Sequence, residues 1–463
     1  MEQVVSYIDT NKERYLNELT ELLAIPSVSS RKEHQGDMQQ CAQWIADHME
    51  RIGMHSVKIF PTEGHPVVYS EWLEAPGMPT VLVYGHYDVQ SEEPVNLWTS
   101  PPYQATVRGE NLYARGSTDD KGQAFIHFKA VEALLKTNGS LPVNLKIIIE
   151  GEEEVGSEHL DSFLEEHKDL LQADLVLISD TSMFEKDVPS ICYGLRGIAY
   201  MEIELSGPNR DLHSGSFGGS VHNPIQALAE IIASLHDDNG RVTIPGFYDD
   251  VRSLTKAERA AYKKLPFTDK KYAGGLGVKV LYGEKGFTTL ERLWARPTLE
   301  CNGIWGGYTG EGAKTVLPAK AFAKISMRLV PDQRSAKTAK LFEKHIKKIV
   351  PKTVTVNVRT LHGGEPAITP IDSPGVEAAV SALEKGFGKK PLYQREGGSI
   401  PIVVQFKKIL GIDTVLLGFG LPDENAHAPD EFLDLNNFYG GIRTSAHFFN
   451  ELPKFWRGKS KRR

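Results

Sequence analysis

Cysteine is scarce: Cys41, Cys192 and Cys301 are the three in 463 residues, odd in number, widely separated and in no CxxC pattern. That argues against a disulfide framework and against a thiolate zinc site. Long hydrophobic runs are missing too, none approaching the roughly 18 residues of a membrane span. The start, MEQVVSYIDTNKERYLNEL, lacks the basic-then-apolar layout of a signal peptide, so a cytoplasmic location is expected. There is no basic surplus: the formal net charge of −7 speaks against a general nucleic-acid binder. The tail from Lys454 to Arg463 is the basic exception, and reads more readily as a frayed, solvated end than as a contact for an anionic surface. Internal repeats and low-complexity tracts are absent as well.

What is present exceeds one core's worth of chain, and two or three domains are expected. Up to about residue 198, helical and strand patterns alternate. Tyr15 to Ala24 and Cys41 to Ile52 have apolar residues at helical spacing, as does the stretch from Ala124 to Leu135, closed by Asn138-Gly139. Val67 to Trp72, Thr80 to Tyr84, Leu145 to Ile149 and Leu175 to Ile178 read as strands, several apolar enough for burial on both faces. This order predicts an α/β fold with a mixed, mostly parallel sheet flanked by helices. From residue 199 to 370 the character changes. Ala199 to Leu205 and Ala321 to Leu329 alternate like strands of a half-exposed antiparallel sheet, with a helix from Pro224 to Leu235 and a polar stretch at about 239–300 between them. From 371 to 463 the helix Val376 to Phe387 and the strand Thr414 to Gly418 rejoin the first domain. The second domain is thus an α+β insertion.

Several strand-like runs end in polar groups. Val81 to Tyr84 leads to His86 and Asp88, spaced so that both can share a face. A carboxylate there would fix the tautomer of a metal-bound histidine, although the pair alone is more often a satisfied structural histidine than a ligand. Asp119 and Asp120 sit between glycines ahead of a helix, where an ordinary N-cap is the bland alternative. Glu150, Glu152, Glu153 and Glu154 crowd behind three isoleucines; such carboxylates repel unless cations or solvent compensate. Asp180 follows Leu175 to Ile178, and His427 follows Thr414 to Gly418. In open α/β sheets, ligands gather at the carboxyl ends of strands. His86, Asp119, Glu154, Asp180 and His427 therefore fit a two-metal hydrolase site, in which two divalent cations meet three ligating carboxylates.

The motifs Gly85-His86-Tyr87-Asp88, Arg115-Gly116-Ser117-Thr118-Asp119-Asp120-Lys121-Gly122, Glu150 to Ser157, Asp211-Leu212-His213-Ser214-Gly215 and Arg395 to Pro401 resemble those of the M20 metallopeptidases, most closely the cytosolic nonspecific dipeptidase and carnosinase branch. The resemblance implies that His86 and Asp180 hold one metal, Glu154 and His427 the other, and that Asp119 bridges them. It implies Asp88 as the group orienting His86 and a cis peptide between Asp119 and Asp120. Glu153 would be the general base for a metal-bridging water. Residues 199–370 would form a lid and dimerisation domain inserted in a catalytic domain made of 1–198 and 371–463. His213 would stabilise the oxyanion across a homodimer interface, while Thr315, Arg328, Gly398 and Ser399 would bind the substrate. Without the resemblance, Arg328 reads as an exposed strand charge. The expected activity is hydrolysis of dipeptides with two divalent ions, Zn or Mn, with Co also suited to such ligands. An N-acyl or N-carbamoyl amino acid amidohydrolase, and a catalytically silent binding protein, are the alternatives.

Overall fold

The computed structural model describes residues 1–398 and 400–456; Ser399 and the last seven residues of the basic tail lie outside the described residues. The chain forms two compact units, one of residues 1–193, 369–394 and 402–463, the other of 194–368 and 395–401. The strands that organise them are, in chain order, β1 (His55–Phe60), β2 (Val67–Trp72), β3 (Thr80–His86), β4 (Asn144–Glu150), β5 (Leu175–Ile178), β6 (Ser190–Leu195), β7 (Gly197–Ser206), β8 (Thr298–Gly306), β9 (Lys320–Leu329), β10 (Thr355–Gly364) and β11 (Thr414–Leu416). The main helices are α1 (Glu2–Thr10), α2 (Lys12–Leu23), α3 (Gln35–Ile52), α4 (Lys121–Asn138), α5 (Pro224–Ser234), α6 (Ser335–Ile349), α7 (Pro374–Phe387) and α8 (Leu435–Trp456).

In the first unit the large mixed sheet has the order β1-β2-β4-β3-β5-β11-β6. Its four central strands, β4, β3, β5 and β11, are mutually parallel, and antiparallel pairings flank them on both sides. The near-continuous burial of β3, β4 and β5 is what a parallel strand covered on both faces requires. Helix α4 is buried from Lys121 to Leu134, and its polar residues are each matched. His127 lies 2.8 Å from Ser445 Oγ and 2.7 Å from Ser179 Oγ, and Ser179 donates to the Leu417 carbonyl. Lys129 Nζ is 2.9 Å from Glu132 and also reaches Glu18. Burial without such partners would cost several kcal/mol, roughly, for each charge.

The second unit carries an antiparallel sheet, β8-β9-β7-β10. Ala199, Met201, Ile203 and Leu205 of β7 join Ala323, Ile325, Met327 and Leu329 of β9 in a core against Leu228 and Ile231 of α5 and Phe342 and Ile346 of α6. Alternation leaves Ile198, Tyr200 and Arg328 on the other face, half-buried. The polar stretch at 239–300 holds three short helices, Lys256–Tyr262, Asp269–Gly275 and Thr289–Ala295. Thr255 with Glu258, and Thr288 with Glu291, close reciprocal capping boxes there, satisfying amides that a short helix would leave open.

Candidate metal centre

Because β4, β3, β5 and β11 run the same way side by side, their carboxyl ends share one rim. His86 is the last residue of β3, Glu154 sits on a 3-10 turn just after β4, and Asp180 is two residues past β5. His427 comes from the loop after β11, in which Asn425, His427 and Asp430 take left-handed φ values of 56, 63 and 57°. Asp119 arrives from the loop before α4, and its peptide bond to Asp120 is cis.

These five side chains meet in two groups that share Asp119. Ligand atoms of His86, Asp119 and Asp180 lie within 4.8 Å of one another, as do those of Asp119, Glu154 and His427. His86 Nε2 is 3.2 Å from Asp119 Oδ1, while His427 Nε2 is 3.0 Å from Asp119 Oδ2 and 3.2 Å from Glu154 Oε2. Zinc bonds of about 2.0–2.1 Å in a tetrahedron set donor atoms roughly 3.3 Å apart, so these separations fit a coordination shell. His86 Nε2 is fully buried and makes no hydrogen bond, which fits an atom aimed at a cation. A third cluster, Glu18, His48 and Glu132, is different: Lys129 and Arg14 both bond its two carboxylates, so the cations are already internal.

The electrostatics point the same way. Burial, reinforced by Asp119, pushes Asp180 well above the usual carboxylate range. Burial also lifts Glu153 to about 8, with Glu154 and Asp119 adding to the rise. Hydrogen bonds to Asp119 and Glu154 raise His427 to about 10. Protons thus accumulate where divalent cations would otherwise carry the positive charge.

A buried frame holds the candidate ligands. His86 Nδ1 is 3.1 Å from the Asp88 carbonyl and 3.3 Å from Asp88 Oδ1. The Asp88 carboxylate also accepts from the amides of Glu153 and Glu154, at 3.2 and 3.0 Å, tying the base candidate to the His86 strand. Gln90 donates to Glu154 Oε2 at 2.7 Å. Glu431, fully buried, accepts from Arg115 at 2.6 Å and from the amides of Gly116, Thr118 and Asp119 at 3.0, 3.0 and 3.2 Å. Glu424 accepts from Thr118 Oγ1 and from the amides of Leu421 and Asp434. Sequence reasoning missed Gln90, Glu424 and Glu431; the acids of Asp423-Glu424 and Asp430-Glu431, flanking His427, were the available signal.

The remaining site candidates lie in the second unit. His213 is exposed, pairs with Val316 in a two-residue ladder, and accepts at Nδ1 from the Gly215 amide. Ser214 N donates to the Thr315 carbonyl at 3.0 Å, so His213 and Thr315 are near neighbours. Arg328 sits on β9 opposite Ile198, and Gly398 accepts at its carbonyl from Arg196 N.

The family model described as Peptidase family M20/M25/M40 matches residues 82–451. The chain belongs to this family. Among the relatives of this M20 peptidase, the Cys-Gly metallodipeptidase dug1 of Schizosaccharomyces pombe is 35% identical, with 98% of each chain covered. The human Beta-Ala-His dipeptidase is 33% identical over 98% of this chain and 93% of its own. The solved structure of the M20 family metallo-carboxypeptidase Sso-CP2 from Sulfolobus solfataricus superposes with a TM-score of 0.84, at 35% identity, over 95% of this chain and 99% of that one. This M20 enzyme is therefore a metallopeptidase. Among the described residues, no helix is long and apolar enough to cross a membrane.

Proposed function

We propose that this M20 peptidase is a dinuclear dipeptidase, cleaving the one peptide bond of a free dipeptide to give two amino acids. The observation that carries the reading is the pair of three-residue groups joined through Asp119. His86 and Asp180 would hold one divalent ion, Glu154 and His427 the other, and Asp119 both; Zn and Mn suit these donors, and Co also. Once bound, such ions make a water nucleophilic near neutral pH and polarise the scissile carbonyl.

The protein's own share is proton handling and positioning. Glu153 takes the proton of the attacking water as the new C–O bond forms, then delivers it to the amine as the C–N bond breaks. Burial favours the protonated form of its carboxyl, which helps Glu153 hold the proton between the two transfers. Asp88 holds the Glu153 amide, so the base is fixed relative to His86. Thr315, Arg328 and Gly398 grip the substrate, Arg328 offering the planar fork that pairs two carboxylate oxygens. His213, whose Nδ1 is taken up by the Gly215 amide, offers its other ring nitrogen as a hydrogen-bond donor to the oxyanion, and the second unit serves as lid and as the dimerisation surface of a homodimer in the cytoplasm. Names of relatives support the substrate class, since both curated relatives cited above are dipeptidases.

The decisive experiment couples elemental analysis of the purified protein to hydrolysis of a dipeptide panel before and after chelation. The reading requires two equivalents of metal and turnover that is lost on chelation and restored by Zn or Mn. Turnover confined to N-acetyl or N-carbamoyl amino acids would move the enzyme to the amidohydrolase reading.

A further inference from the structure

The second unit holds a cation that the reading above leaves unused. Arg196 lies between β6 and β7, and its Nε donates to the Gly397 carbonyl at 3.2 Å while its amide donates to Gly398 at 3.1 Å. Arg196 therefore clasps the Gly397–Gly398 turn through both backbone and side chain. The fit is close: a Cβ added at Gly397 would stand 2.8 Å from Arg196 Nη2. Gly398 itself is exposed and open, with nothing within 4 Å of an added Cβ.

Strand register places Arg196 beside Arg328. Ile198 of β7 is directly opposite Arg328 of β9, which in turn faces Thr298 of β8. Residues two apart share a face of a sheet, and diagonal neighbours are within reach of long side chains. Extending the β7 alternation back from Ile198 puts Arg196 on the same open face as Arg328, away from the Ala199–Met201 core. After burial, the Arg328 charge is the largest influence lowering the Arg196 guanidinium, to about 10, with Glu300 acting oppositely. Glu300 is exposed and lies opposite Ser326 on the same face. Two guanidiniums on one face of the sheet, with the single carboxylate of Glu300 beside them, give that face a positive surplus that attracts an anionic ligand.

We propose that Arg196 is the second guanidinium of the seat for the substrate's free α-carboxylate, a positioning and specificity residue that holds the Gly397–Gly398 turn and adds its charge to that of Arg328. The proposal rests on the dipeptidase reading, and deepens it by assigning the preference for a free carboxylate over a neutral end to a pair of arginines. Arg196 takes no part in the proton transfers, so its loss acts on KM and on ligand choice.

The test uses the metal-loaded full chain, a dipeptide that the wild type hydrolyses, and the C-terminal amide of that dipeptide. Arg196→Gln should raise KM for the free dipeptide about 10-fold or more with kcat within about threefold, leave metal content unchanged, and narrow the carboxylate-over-amide preference about 10-fold. Arg196→Lys keeps the charge but not the planar fork, and should fall between. Gly397→Ala, which displaces the guanidinium from its turn without removing it, should move the preference in the same direction and covers the case in which Arg196→Gln fails to fold. Equal losses on dipeptide and amide, or a fall in kcat with unchanged KM, overturn the assignment while leaving the dipeptidase reading intact. A wild type without dipeptide turnover overturns both.

Discussion

Glu431 offers the sharpest test of how Asp119, the residue shared by the two groups, is held. Its two oxygens accept four hydrogen bonds, one pair from Arg115 and the Gly116 amide, the other from the amides of Thr118 and Asp119. Burial pushes its carboxyl up, to about 7, while Arg115 pulls it down. In Glu431→Gln the shape is kept, but one oxygen becomes an NH2 that must face two donors. Whichever way the amide turns, two buried donors lose their acceptor, at about 1–3 kcal/mol each. If the lost oxygen is the one facing Arg115, itself 1% exposed, the uncompensated charge takes the total towards the upper end. The expected destabilisation is about 3–5 kcal/mol, measured by urea unfolding of the chelated protein. Freed from its amide anchor, the Asp119 loop should also bind metal about 10–100-fold more weakly, the usual penalty for losing an outer partner of a ligand, measured by calorimetric titration with Mn. A loss below about 1 kcal/mol together with unchanged metal affinity would refute the reasoning, because the four distances would then carry no energetic consequence.

Three further outcomes follow from the site and its frame. Glu153→Gln should lower kcat by about 10²–10⁴ with metal stoichiometry intact by elemental analysis; retained turnover would remove Glu153 from the mechanism. Asp119→Asn, which weakens a ligand common to both groups, should reduce occupancy of both ions together, whereas loss of a single ion would show that it does not bridge. His127 is held neutral by burial, which lowers its pKa to about 3, below an unfolded value of about 6.5. Between those values the unfolded chain binds the extra proton, so its contribution is present above about pH 6.5 and lost as pH falls. Going from pH 7.5 to 5.5 it should cost the wild type about 1.4 kcal/mol relative to His127→Gln. The comparison must be made as that difference, since Glu150 and Glu424, raised to about 7 by burial, titrate in the same range with the opposite sign. A difference that does not change with pH would show that His127 titrates in the fold as it does in the unfolded chain, and a change of the opposite sign would show it to be protonated there.

Which elements the sequence displays follows from what each must bury. Strands β3, β4 and β5 are covered on both faces, so their apolar runs are unbroken and plain to read. The β1 strand, His55–Phe60, is at the sheet margin with no residue fully buried, and without a burial pattern it left no trace. β10 has the same difficulty: it is an outer strand, largely exposed. The helices at 256–262 and 289–295 were legible by another route, since Thr-x-x-Glu at 255–258 and 288–291 is a helix-start signature; the high polar content around them hid it. α8 escaped because the eye follows apolar spacing, and Asn436, Asn437, Gly440 and Gly441 interrupt it, although Asn437 and both glycines are buried.

The metal-type residues were legible for a different reason. A parallel sheet needs one covalent crossing between each pair of strands, so its carboxyl ends present several loops to one place regardless of sequence distance. An acid or histidine immediately after a buried strand has little freedom to go elsewhere, and His86 and Asp180 are placed by that alone. Glu154 and His427 need more: the Asp88 clamp on the Glu153–Glu154 amides and the left-handed residues around His427. Those partners are fixed by three-dimensional closure between segments about 65 and 310 residues apart, a relation that no local spacing encodes. The frame around the ligands is therefore the part that only the folded chain reveals, and Glu431, invisible as a motif but joined to the Asp119 loop by three backbone amides, is where that frame bears most directly on the metals.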